Sequence, residues 1–194
     1  MRKPTKEEEN YITENLRYDH ETGYLWWIKP SENKSARRLL DKPVGWHTPA
    51  GYLEFGSPRQ ITGYSYTKKL FVHRIAWFLH YGIWPEHELD HINNDKTDNR
   101  LENLRPATRK ENGRNRKAHK DSSSKYKGVS WNKKQQKWIS QIKINYKTEY
   151  LGCYTSEEDA ARAYDKAARE LHGEYACLNF PDEHEQGALH GHDL

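Results

Sequence analysis

The C-terminal half of the chain alternates apolar and polar residues with two different periods. Residues 137–144 have a period of two and predict a strand whose inner face carries Trp138. Ser156 with Asp159 is typical of a helix start, and Gly173 is typical of a helix end. The alanine-rich stripe between them predicts one buried helix face that packs closely on a sheet. This stripe consists of Ala160, Ala163, Tyr164, Ala167, Ala168 and Leu171.

The N-terminal part is richer in aromatic residues and turns. Residues 17–27 carry aromatic residues on both sides of a Glu-Thr-Gly turn, which predicts a β-hairpin. From His73 to Tyr81 the apolar spacing predicts a helix that Gly82 and Pro85 end. Further short strands are punctuated by glycines, namely Gly45, Gly51, Gly56 and Gly63.

Residues 89–117 combine strand, turn and helix signals in a short space. Residues 89–92 alternate and predict a strand, on which neighbouring side chains point to opposite faces. A short helical turn over residues 99–104 and a second strand over 105–107 are expected next. Thr108, with a glutamate three residues later, has the pattern of a capping box that opens a helix. The predicted order is strand, loop, strand and helix.

The same segment spaces side chains that suit metal-dependent phosphodiester cleavage. Asp90 and His91 come first, Asn103 follows His91 by twelve residues, and Asn112 follows Asn103 by nine. Asp90 offers a hard oxygen ligand for Mg²⁺ or Mn²⁺, and Asn112 offers a carbonyl oxygen. A neutral His91 can take a proton from an attacking water. An Asp-His pair in a turn-rich segment is usually a solvated loop, but four positions in register on matching elements favour a site.

The H-N-N order of His91, Asn103 and Asn112 resembles the HNH endonuclease family, most closely its phage and intron-encoded homing type. The resemblance implies a ββα-metal unit with catalytic His91 and with Asp90 and Asn112 as metal ligands. It places Asn103 in the catalytic set as a brace that holds His91 through backbone hydrogen bonds. His73 also matches the family pattern, and a helix-start, packing or DNA-contact role stays open. Three polar residues are interpreted as turn and cap residues, namely Asn94, Asp95 and Asp98.

A second set of motifs follows residue 124 in a fixed order. It consists of Tyr126-Lys-Gly-Val129, Trp138-Ile-Ser-Gln-Ile142, Tyr150-Leu-Gly152, Ala160-Ala-Arg-Ala-Tyr164 and Leu178-Asn-Phe-Pro181. These motifs are similar to the APETALA2/ethylene-response-factor DNA-binding domain. The resemblance implies a three-stranded antiparallel sheet packed on one helix, with the exposed sheet face laid in the DNA major groove.

That exposed face is expected to carry the DNA contacts of the second domain. Lysine or arginine can read guanine, and glutamine can read adenine. The plant pattern is rich in arginine, whereas lysine predominates here, and Ser130 and Thr148 replace arginines. Because lysine lacks the bidentate fork, we expect backbone affinity to survive better than base discrimination. Trp138 is assigned to the core, whereas Trp131 is either a DNA contact or a side chain exposed at a hairpin turn. The predicted contacts are Lys127, Ser130, Trp131, Lys133, Gln141, Lys143 and Tyr150.

Positive charge is concentrated where the two sets of motifs meet. Residues 109–147 hold thirteen Lys or Arg against two acids, a balance of +11 in a chain whose total is +4. Such a segment is the electrostatic footprint of nucleic acid. Arg37 and Arg38 are further candidates for phosphate contact. Within the basic segment the predicted phosphate contacts are Arg109, Lys110, Arg114, Arg116 and Lys117.

Composition limits the remaining possibilities. With 194 residues and 34% hydrophobic content, the chain suits two small domains rather than one large core. No apolar run has membrane-spanning length and no apolar leader is present, so we expect a cytoplasmic protein of a phage-infected bacterial host. Cys153 and Cys177 lack paired zinc-knuckle spacing, and we expect reduced thiols and no structural zinc. The acidic tail with His184, His190 and His192 is interpreted as a frayed terminus rather than a metal site.

These observations predict an α+β protein of two domains. A nuclease domain with its β-meander spans residues 1–118, a linker 119–124, a DNA-binding domain 125–181 and a tail 182–194. The expected activity is metal-dependent hydrolysis of duplex DNA, by nicking or double-strand cleavage, without membrane or small-molecule partners. Two alternatives stay open, a DNA-binding regulator with an inactive nuclease unit and an RNA-binding or structural protein. The target and the choice between monomer and homodimer are also open.

Overall fold

A computed structural model describes residues 3–29, 40–56, 69–118 and 122–181 of the chain. The chain divides into two compact units, Met1–Arg109 and Lys110–Leu194. The candidate phosphate contacts Arg37 and Arg38, and the histidines of the acidic tail, lie outside the described residues. Within the described ranges, no helix is both long and apolar enough to cross a bilayer.

The first unit contains two helices and three small antiparallel sheets in its described part. Strands β1 and β2 form one hairpin, β3, β4 and β5 form a three-stranded sheet in that order, and β6 and β7 form a second hairpin. The elements are α1 (Lys6–Asn15), β1 (Leu16–Tyr18), β2 (Leu25–Trp27), β3 (Trp46–His47), β4 (Leu53–Gly56), β5 (Lys69–Phe71), α2 (Val72–Tyr81), β6 (Glu88–His91), a 3₁₀ turn (Leu101–Asn103) and β7 (Leu104–Ala107).

Helix α1 lies ahead of the predicted hairpin, in a stretch for which the sequence pattern predicted no element. Thr5 and Glu8 form a reciprocal capping box, in which the Glu8 amide donates to Thr5 Oγ1 and the Thr5 amide donates to Glu8 Oε2. Ile12 is 1% exposed and joins the core of the unit. The helix is mostly polar, so the cap and a single buried face determine its position.

The core of the first unit joins the hairpin, the sheet and helix α2. Because the described members of this core come from α1, from the β1–β2 hairpin and from the three-stranded sheet, these elements pack together with α2. Gly82 ends α2 in the left-handed region at φ 72°, as its position after the apolar spacing predicted. The buried core residues are Ile12, Leu16, Leu25, Val44, Phe55, Leu70, Val72, Ile75 and Trp84.

Arg74 connects helix α2 to the chain just before β6. Its side chain is buried, and its guanidinium donates to the carbonyls of Pro85 at 2.6 Å and His87 at 2.8 Å. It also lies over the Trp84 ring, 5.5 Å from the centroid. Two carbonyls of an irregular segment are thus satisfied by one buried cation, which fixes where strand β6 begins.

The turn of the β1–β2 hairpin lies against the loop before β7. Gly23 has φ +74°, and a Cβ there would lie 2.6 Å from the Arg100 amide nitrogen and 2.8 Å from the Asn99 carbonyl carbon. The Tyr18 hydroxyl donates to the Asn99 carbonyl at 3.0 Å. The N-terminal meander therefore supports the β6–β7 loop by direct contact.

The second unit has the α+β architecture that the sequence predicted. Its sheet is antiparallel in the order β8, β9, β10, and one long helix packs on it. Helix α3 precedes the sheet and begins at the last residue of the first unit. The elements are α3 (Arg109–Arg114), β8 (Val129–Asn132), β9 (Lys137–Ile144), β10 (Lys147–Tyr154), α4 (Glu157–His172) and a 3₁₀ turn (Gly173–Tyr175).

The predicted period of two in β9 is confirmed by its burial. Ile142 is 1% exposed and packs against Tyr164 of α4, while Trp138 packs on a neighbouring cluster around Val129. Ser156 Oγ accepts from the Asp159 amide at the start of α4, as the sequence predicted.

The buried face of α4 differs from the predicted stripe. Leu171 is 43% exposed and Ala163 is half-buried, whereas Ala161, Asp165 and His172 are buried. The predicted stripe was based on hydrophobic residues alone, and it therefore omitted the buried polar residues Asp165 and His172. Asp165 and His172 lie at helical spacing from Ala161 and face inward, since each finds polar partners there.

Ser124 was predicted to end a flexible linker, but it is buried in the second unit. Its hydroxyl donates to Glu157 Oε1 at 2.7 Å and accepts from the Tyr126 amide at 3.0 Å. Ser123 Oγ likewise accepts from the Trp131 amide. Serines so close to a folded strand serve as local acceptors, because their hydroxyls satisfy backbone donors that the sheet leaves unpaired.

A buried carboxylate fastens the C-terminal segment to helix α4. Asp165 is 1% exposed and accepts from the Asn179 amide, the Asn179 Nδ2 group and the Phe180 amide at 2.8 to 3.0 Å. The Asn179 side chain also bonds the Lys127 amide and carbonyl at 2.7 and 3.1 Å. This Asp165–Asn179 clasp joins three segments that are distant in sequence.

We expect Asp165→Ala to destabilise the second unit by about 3 kcal/mol or more, because each buried donor left unsatisfied costs roughly 1–3 kcal/mol. Amide hydrogen exchange of peptides from β9 and β10 in the full chain measures the change. Glu170→Ala, at an exposed position of the same helix, is the matched control. Equal exchange in the two variants would show that the clasp contributes little.

Candidate catalytic hairpin and basic sheet

The β6–β7 hairpin carries the first two candidate site residues next to each other. Asp90 pairs with Arg105 across the strands and His91 pairs with Leu104. Asp90 and His91 are each 4% exposed, and their contacts lie on different sides, as expected for neighbours on a strand. One face of the β6–β7 hairpin therefore carries the Asp90 carboxylate, and the opposite face carries the His91 imidazole.

Arg105 is the partner of Asp90, a contact that the sequence analysis missed. Its Nε and Nη2 atoms both donate to Asp90 Oδ2, at 3.0 and 2.8 Å. The two side chains are 12% and 5% exposed, so the pair is nearly buried. A buried carboxylate needs such a partner, because an uncompensated charge would be strongly destabilising. Cross-strand pairing of the two predicted strands was the signal that could have found it.

His91 sits in a pocket of rings and one amide. Its Nε2 atom lies 3.1 Å from Asn99 Oδ1. The His73 ring meets it edge-on, with centroids 5.0 Å apart and an interplanar angle of 81°, and the Tyr52 ring lies 6.0 Å away. Burial lowers the pKa of His91, while the Asn99 bond and nearby carboxylates oppose this effect. The imidazole is therefore neutral near pH 7.

His73 lies in the core of this ring cluster, not at the surface. It is 2% exposed and stacks on Phe71, with centroids 5.4 Å apart and an interplanar angle of 15°. Burial holds the pKa of His73 well below its ordinary value, and the neighbouring His91 and Arg74 add to the effect. Of the roles that the sequence left open, packing is the one that these contacts support.

Asn103 connects the two ends of the loop that follows His91. Its side-chain Oδ1 accepts from the Asn93 amide at 2.9 Å, and its Nδ2 donates to the Asp98 carbonyl at 2.8 Å. Its own carbonyl accepts from the Ile92 amide at 2.9 Å. The amides of Ile92 and Asn93, directly after His91, are thus bound by the backbone and by the side chain of Asn103. This is the geometry expected of a residue that braces a loop.

The acidic residues of the same loop form turn contacts, as the sequence indicated. Asp95 Oδ1 accepts from the Thr97 amide and hydroxyl at 2.9 and 2.7 Å, which lowers the pKa of Asp95. Asp98 forms a bidentate pair with the Arg100 guanidinium at 2.7 and 2.8 Å, which lowers the pKa of Asp98. Asn94 adopts φ 62°, which suits the short polar side chain of a turn residue.

Helix α3 carries Asn112 and three of the predicted phosphate contacts, Arg109, Lys110 and Arg114, and the other two, Arg116 and Lys117, follow it. Asn112 is half-buried, on the helix that crosses the boundary between the two units. Arg109, Arg116 and Lys117 are exposed. Lys110 is exposed too, but its Nζ donates to Asn145 Oδ1 at 2.5 Å in the turn between β9 and β10.

Lys127 was predicted on the exposed sheet face, and this prediction is wrong. Its ammonium group donates to the Arg114 carbonyl, and burial lowers the pKa of the amine. Its backbone is held by Asn179. Arg114 itself is half-buried. The physical reason is that Lys127 precedes β8, where the chain packs against the C-terminal end of α3.

The predicted position of Trp131 beside Ser130 on the exposed face is also wrong. Trp131 pairs with Trp138 across the strands, with ring centroids 4.9 Å apart, on the side of the sheet that packs on α4. Neighbouring residues of a strand point to opposite faces, so Ser130 and Trp131 cannot share one. The cross-strand pair with Trp138 places Trp131 on the helix side.

The exposed sheet face is defined by the strand register. Ser130, Ile139 and Cys153 form one cross-strand row, and Gln141 pairs with Tyr150 in the next. Tyr150 is 64% exposed, and Lys143 and Thr148 form an exposed third row. Lys133 is exposed in the turn between β8 and β9. Ile139 and Cys153, which the sequence analysis left out, give this face an apolar part.

Comparison with known proteins adds family matches to this geometry. The family model of the HNH endonuclease matches residues 70–114, and that of the AP2 domain matches residues 124–174. The first range contains the β6–β7 hairpin and Asn112, and the second contains the three-stranded sheet and α4. Both resemblances inferred from the motifs are confirmed.

Three individual relatives each cover less than half of the chain. Protein 3.8 of Escherichia phage T7 is 35% identical over 88 residues, which are 45% of this chain and 72% of the relative. Ethylene-responsive transcription factors ERF017 and ERF012 of Arabidopsis thaliana are 48% and 50% identical over 61 and 62 residues. This chain spans only 32% and 25% of those two plant proteins.

One solved structure is similar over most of the chain. It is described as "DNA binding and cleavage by the HNH homing endonuclease I-HmuI", and the match covers 81% of this chain and 85% of that chain. The two are 22% identical and superpose with a TM-score of 0.36.

We expect the first unit to lose stability as the pH falls below about 6.5, the ordinary imidazole pKa. Burial lowers the pKa of His73 in the folded chain, so at such a pH the unfolded chain binds a proton at this residue and the folded chain does not. Protonation therefore favours unfolding. His73→Phe, which can keep the stack on Phe71, should flatten the fall in melting temperature between pH 7.5 and 5. His87→Phe, at an exposed position, is the control and should leave the fall unchanged. An unaltered slope in His73→Phe would contradict this assignment.

Proposed function

Since this chain belongs to the family of Protein 3.8 of Escherichia phage T7, we propose that it is a metal-dependent endonuclease of duplex DNA. The observation that carries the proposal is the hairpin within the HNH match, where a neutral, buried His91 adjoins Asp90. A general base must be unprotonated and held in place before the reaction starts, and His91 meets both conditions. The phage relative also supports a role inside a phage-infected bacterial cell.

The proposed reaction needs a base and an activated phosphate. His91 takes a proton from water, the water oxygen forms a bond to phosphorus, and the bond to the leaving ester oxygen breaks. The leaving oxygen keeps its electron pair and takes a proton from solvent. Asn103 acts through the loop, because it accepts hydrogen bonds from the amides of Ile92 and Asn93, directly after His91, and donates one to the Asp98 carbonyl across the loop.

The donors expected to hold the cation are Asp90 and Asn112. Among the described residues, no three His, Cys, Asp or Glu side chains come together. A carboxylate and an amide oxygen still fit Mg²⁺ or Mn²⁺, because such an ion keeps several waters and takes few protein ligands. When bound, the cation would polarise the phosphate and stabilise the leaving oxygen. Arg105 fixes the orientation of the Asp90 carboxylate through two bonds to the same oxygen.

Duplex DNA is the proposed partner of the second unit as well. Gln141, Lys143 and Tyr150 lie on the exposed sheet face, where flat, polar and cationic groups can meet base edges and phosphates. Ser130 and Lys133 extend this surface at its edge. The exposed basic residues of the α3 segment add phosphate contacts, namely Arg109, Arg116 and Lys117.

The alternatives predict different uses of the same residues. A DNA-binding regulator with an inactive nuclease unit would need the AP2 sheet but not a pre-set base. An RNA-binding or structural protein would need the basic segment but not the spaced ligands. The buried partners of Asp90 and His91 favour the endonuclease, because both side chains are built into the fold.

Cleavage of supercoiled plasmid with Mg²⁺, with and without EDTA, is the direct measurement. We expect His91→Ala to lower the rate about 10²–10⁴-fold while DNA affinity stays nearly unchanged, since a general base acts in the transition state. Asp90→Ala should weaken the response to Mg²⁺ and lower activity together. His87→Ala is the control, an exposed histidine on the chain before β6.

Open circles would indicate nicking, and linear product would indicate paired cuts. Cleavage that persists in EDTA would contradict the metal requirement, and activity within a few-fold of wild type would remove His91 as the base. Binding of duplex without any cleavage by the wild-type chain would favour the inactive regulator.

For the sheet, we expect Lys143→Ala to weaken binding to every duplex and to reduce the slope of log K against log salt by about 0.9, the effect of one phosphate contact. Gln141→Ala should instead change the preference among duplexes and leave the slope unaltered, because an amide releases no counterion. Gel shifts at several salt concentrations measure both effects. Lys166→Ala, at an exposed position of α4, is the charge-matched control. If it weakens binding as much as Lys143→Ala does, the sheet face is not the DNA surface.

A further inference from the structure

Asn99 is the most buried polar residue of the β6–β7 loop, and none of the motifs assigned it a role. Its side chain is 0% exposed, and its Oδ1 atom is the hydrogen-bond partner of His91 Nε2 at 3.1 Å. A buried amide must have its groups satisfied, so the partners of Asn99 are well defined.

The orientation of the Asn99 amide follows from its second partner. Its Nδ2 group donates to the Thr97 carbonyl at 3.2 Å. A carbonyl only accepts, so the amide nitrogen faces Thr97 and the amide oxygen faces His91. The reverse orientation would place two acceptor oxygens against each other. Asn99 therefore presents an acceptor to the imidazole.

An acceptor at this position determines where the His91 proton lies. A neutral imidazole carries one proton, and the nitrogen that faces an amide oxygen must be the donor. The proton then sits on Nε2, and Nδ1 keeps its lone pair. The edge of the His73 ring, 5.0 Å away, and the Tyr52 ring restrict the orientation of the imidazole.

Asn99 is held in turn by the N-terminal hairpin. The Tyr18 hydroxyl donates to its carbonyl at 3.0 Å, and the turn at Gly23 lies against its backbone. These contacts hold the main chain of Asn99 in place. They therefore fix the position from which its side-chain oxygen reaches His91. The meander thereby takes part in the geometry of the site.

We propose that Asn99 is the positioning residue that fixes His91 in the Nε2–H tautomer, so that Nδ1 is the nitrogen that accepts the proton. The water proton moves to Nδ1, the water oxygen bonds to phosphorus, and the bond from phosphorus to the leaving ester oxygen breaks, with its electron pair staying on that oxygen, which takes a proton from solvent. The ring becomes a cation whose Nε2–H remains bonded to Asn99. The catalytic part of this inference rests on the proposed endonuclease, whereas the tautomer does not.

The tautomer can be measured without any activity. Two-bond proton–nitrogen correlation spectra of the full chain, labelled with ¹⁵N-histidine, identify which ring nitrogen carries the proton. At pH 7.5 the His91 imidazole is neutral, because burial lowers its pKa below the ordinary value of about 6.5. His91→Ala identifies the His91 signals by their loss. We expect a protonated Nε2, whose hydrogen-bonded proton exchanges slowly with water, and an unprotonated Nδ1.

Three variants separate positioning from general damage. Asn99→Ala should lose the bonded Nε2 proton and lower the cleavage rate about 10- to 100-fold, the usual cost of a misplaced catalytic group. Asn99→Asp restores an acceptor oxygen and should recover the Nε2 proton. Asn15→Ala removes another buried amide of the first unit and should change neither.

A proton on Nδ1 in the wild-type chain overturns the proposal, and this holds even if Asn99→Ala fails to fold. An Nε2 proton that persists unchanged in a folded Asn99→Ala variant overturns it too. If the tautomer is as expected but the wild-type chain cuts no plasmid, the tautomer assignment stands, and the endonuclease proposal fails together with the catalytic part of this inference. The two proposals therefore have separate outcomes.

Discussion

A two-stranded hairpin has little stability of its own in water, and the β6–β7 hairpin also buries a carboxylate and an imidazole. It stays in place because the buried Asp90 and His91 each have a partner within the hairpin or its loop, and because helix α2 holds the chain just before it. Arg105 compensates Asp90, Asn99 meets His91, and Arg74 fixes the carbonyls before the first strand. These polar contacts act together with the burial of Leu89, Leu104 and Ala107 to hold this part of the chain in place.

Local patterns predicted the elements and the spacing of the candidate site well. The strand-loop-strand-helix order, the inner face of β9 and the ends of α4 all depend on near neighbours in sequence. Arg105 and Asn99 were missed because their roles arise from pairing across the hairpin and its loop. Asp165 was missed because a carboxylate on a helix usually marks a solvated position. In each case the partner, not the residue type, decides the burial.

Two residues of the second unit, Trp131 and Lys127, were predicted in the wrong place for different reasons. Trp131 was placed with Ser130 by resemblance to a family surface, although strand alternation forbids two neighbours on one face. Lys127 was counted as a free charge, yet its ammonium group binds the Arg114 carbonyl. Lys110 also has a partner within the unit, Asn145. The count of positive charges in the basic segment therefore exceeds the number of cations that are available to phosphates.

The contact between the hairpin turn at Gly23 and the backbone of Asn99 bears on how this protein can be divided. The HNH match begins at residue 70, which suggests a short, transferable cassette. Any side chain at position 23 would collide with the main chain beside the site, so the hairpin is matched in shape to the loop it supports. A shortened protein that starts at residue 70 would lack the β1–β2 hairpin, which contacts the β6–β7 loop at Asn99 and Arg100. The smallest portable unit therefore includes the β1–β2 hairpin, well upstream of the residues that define the family.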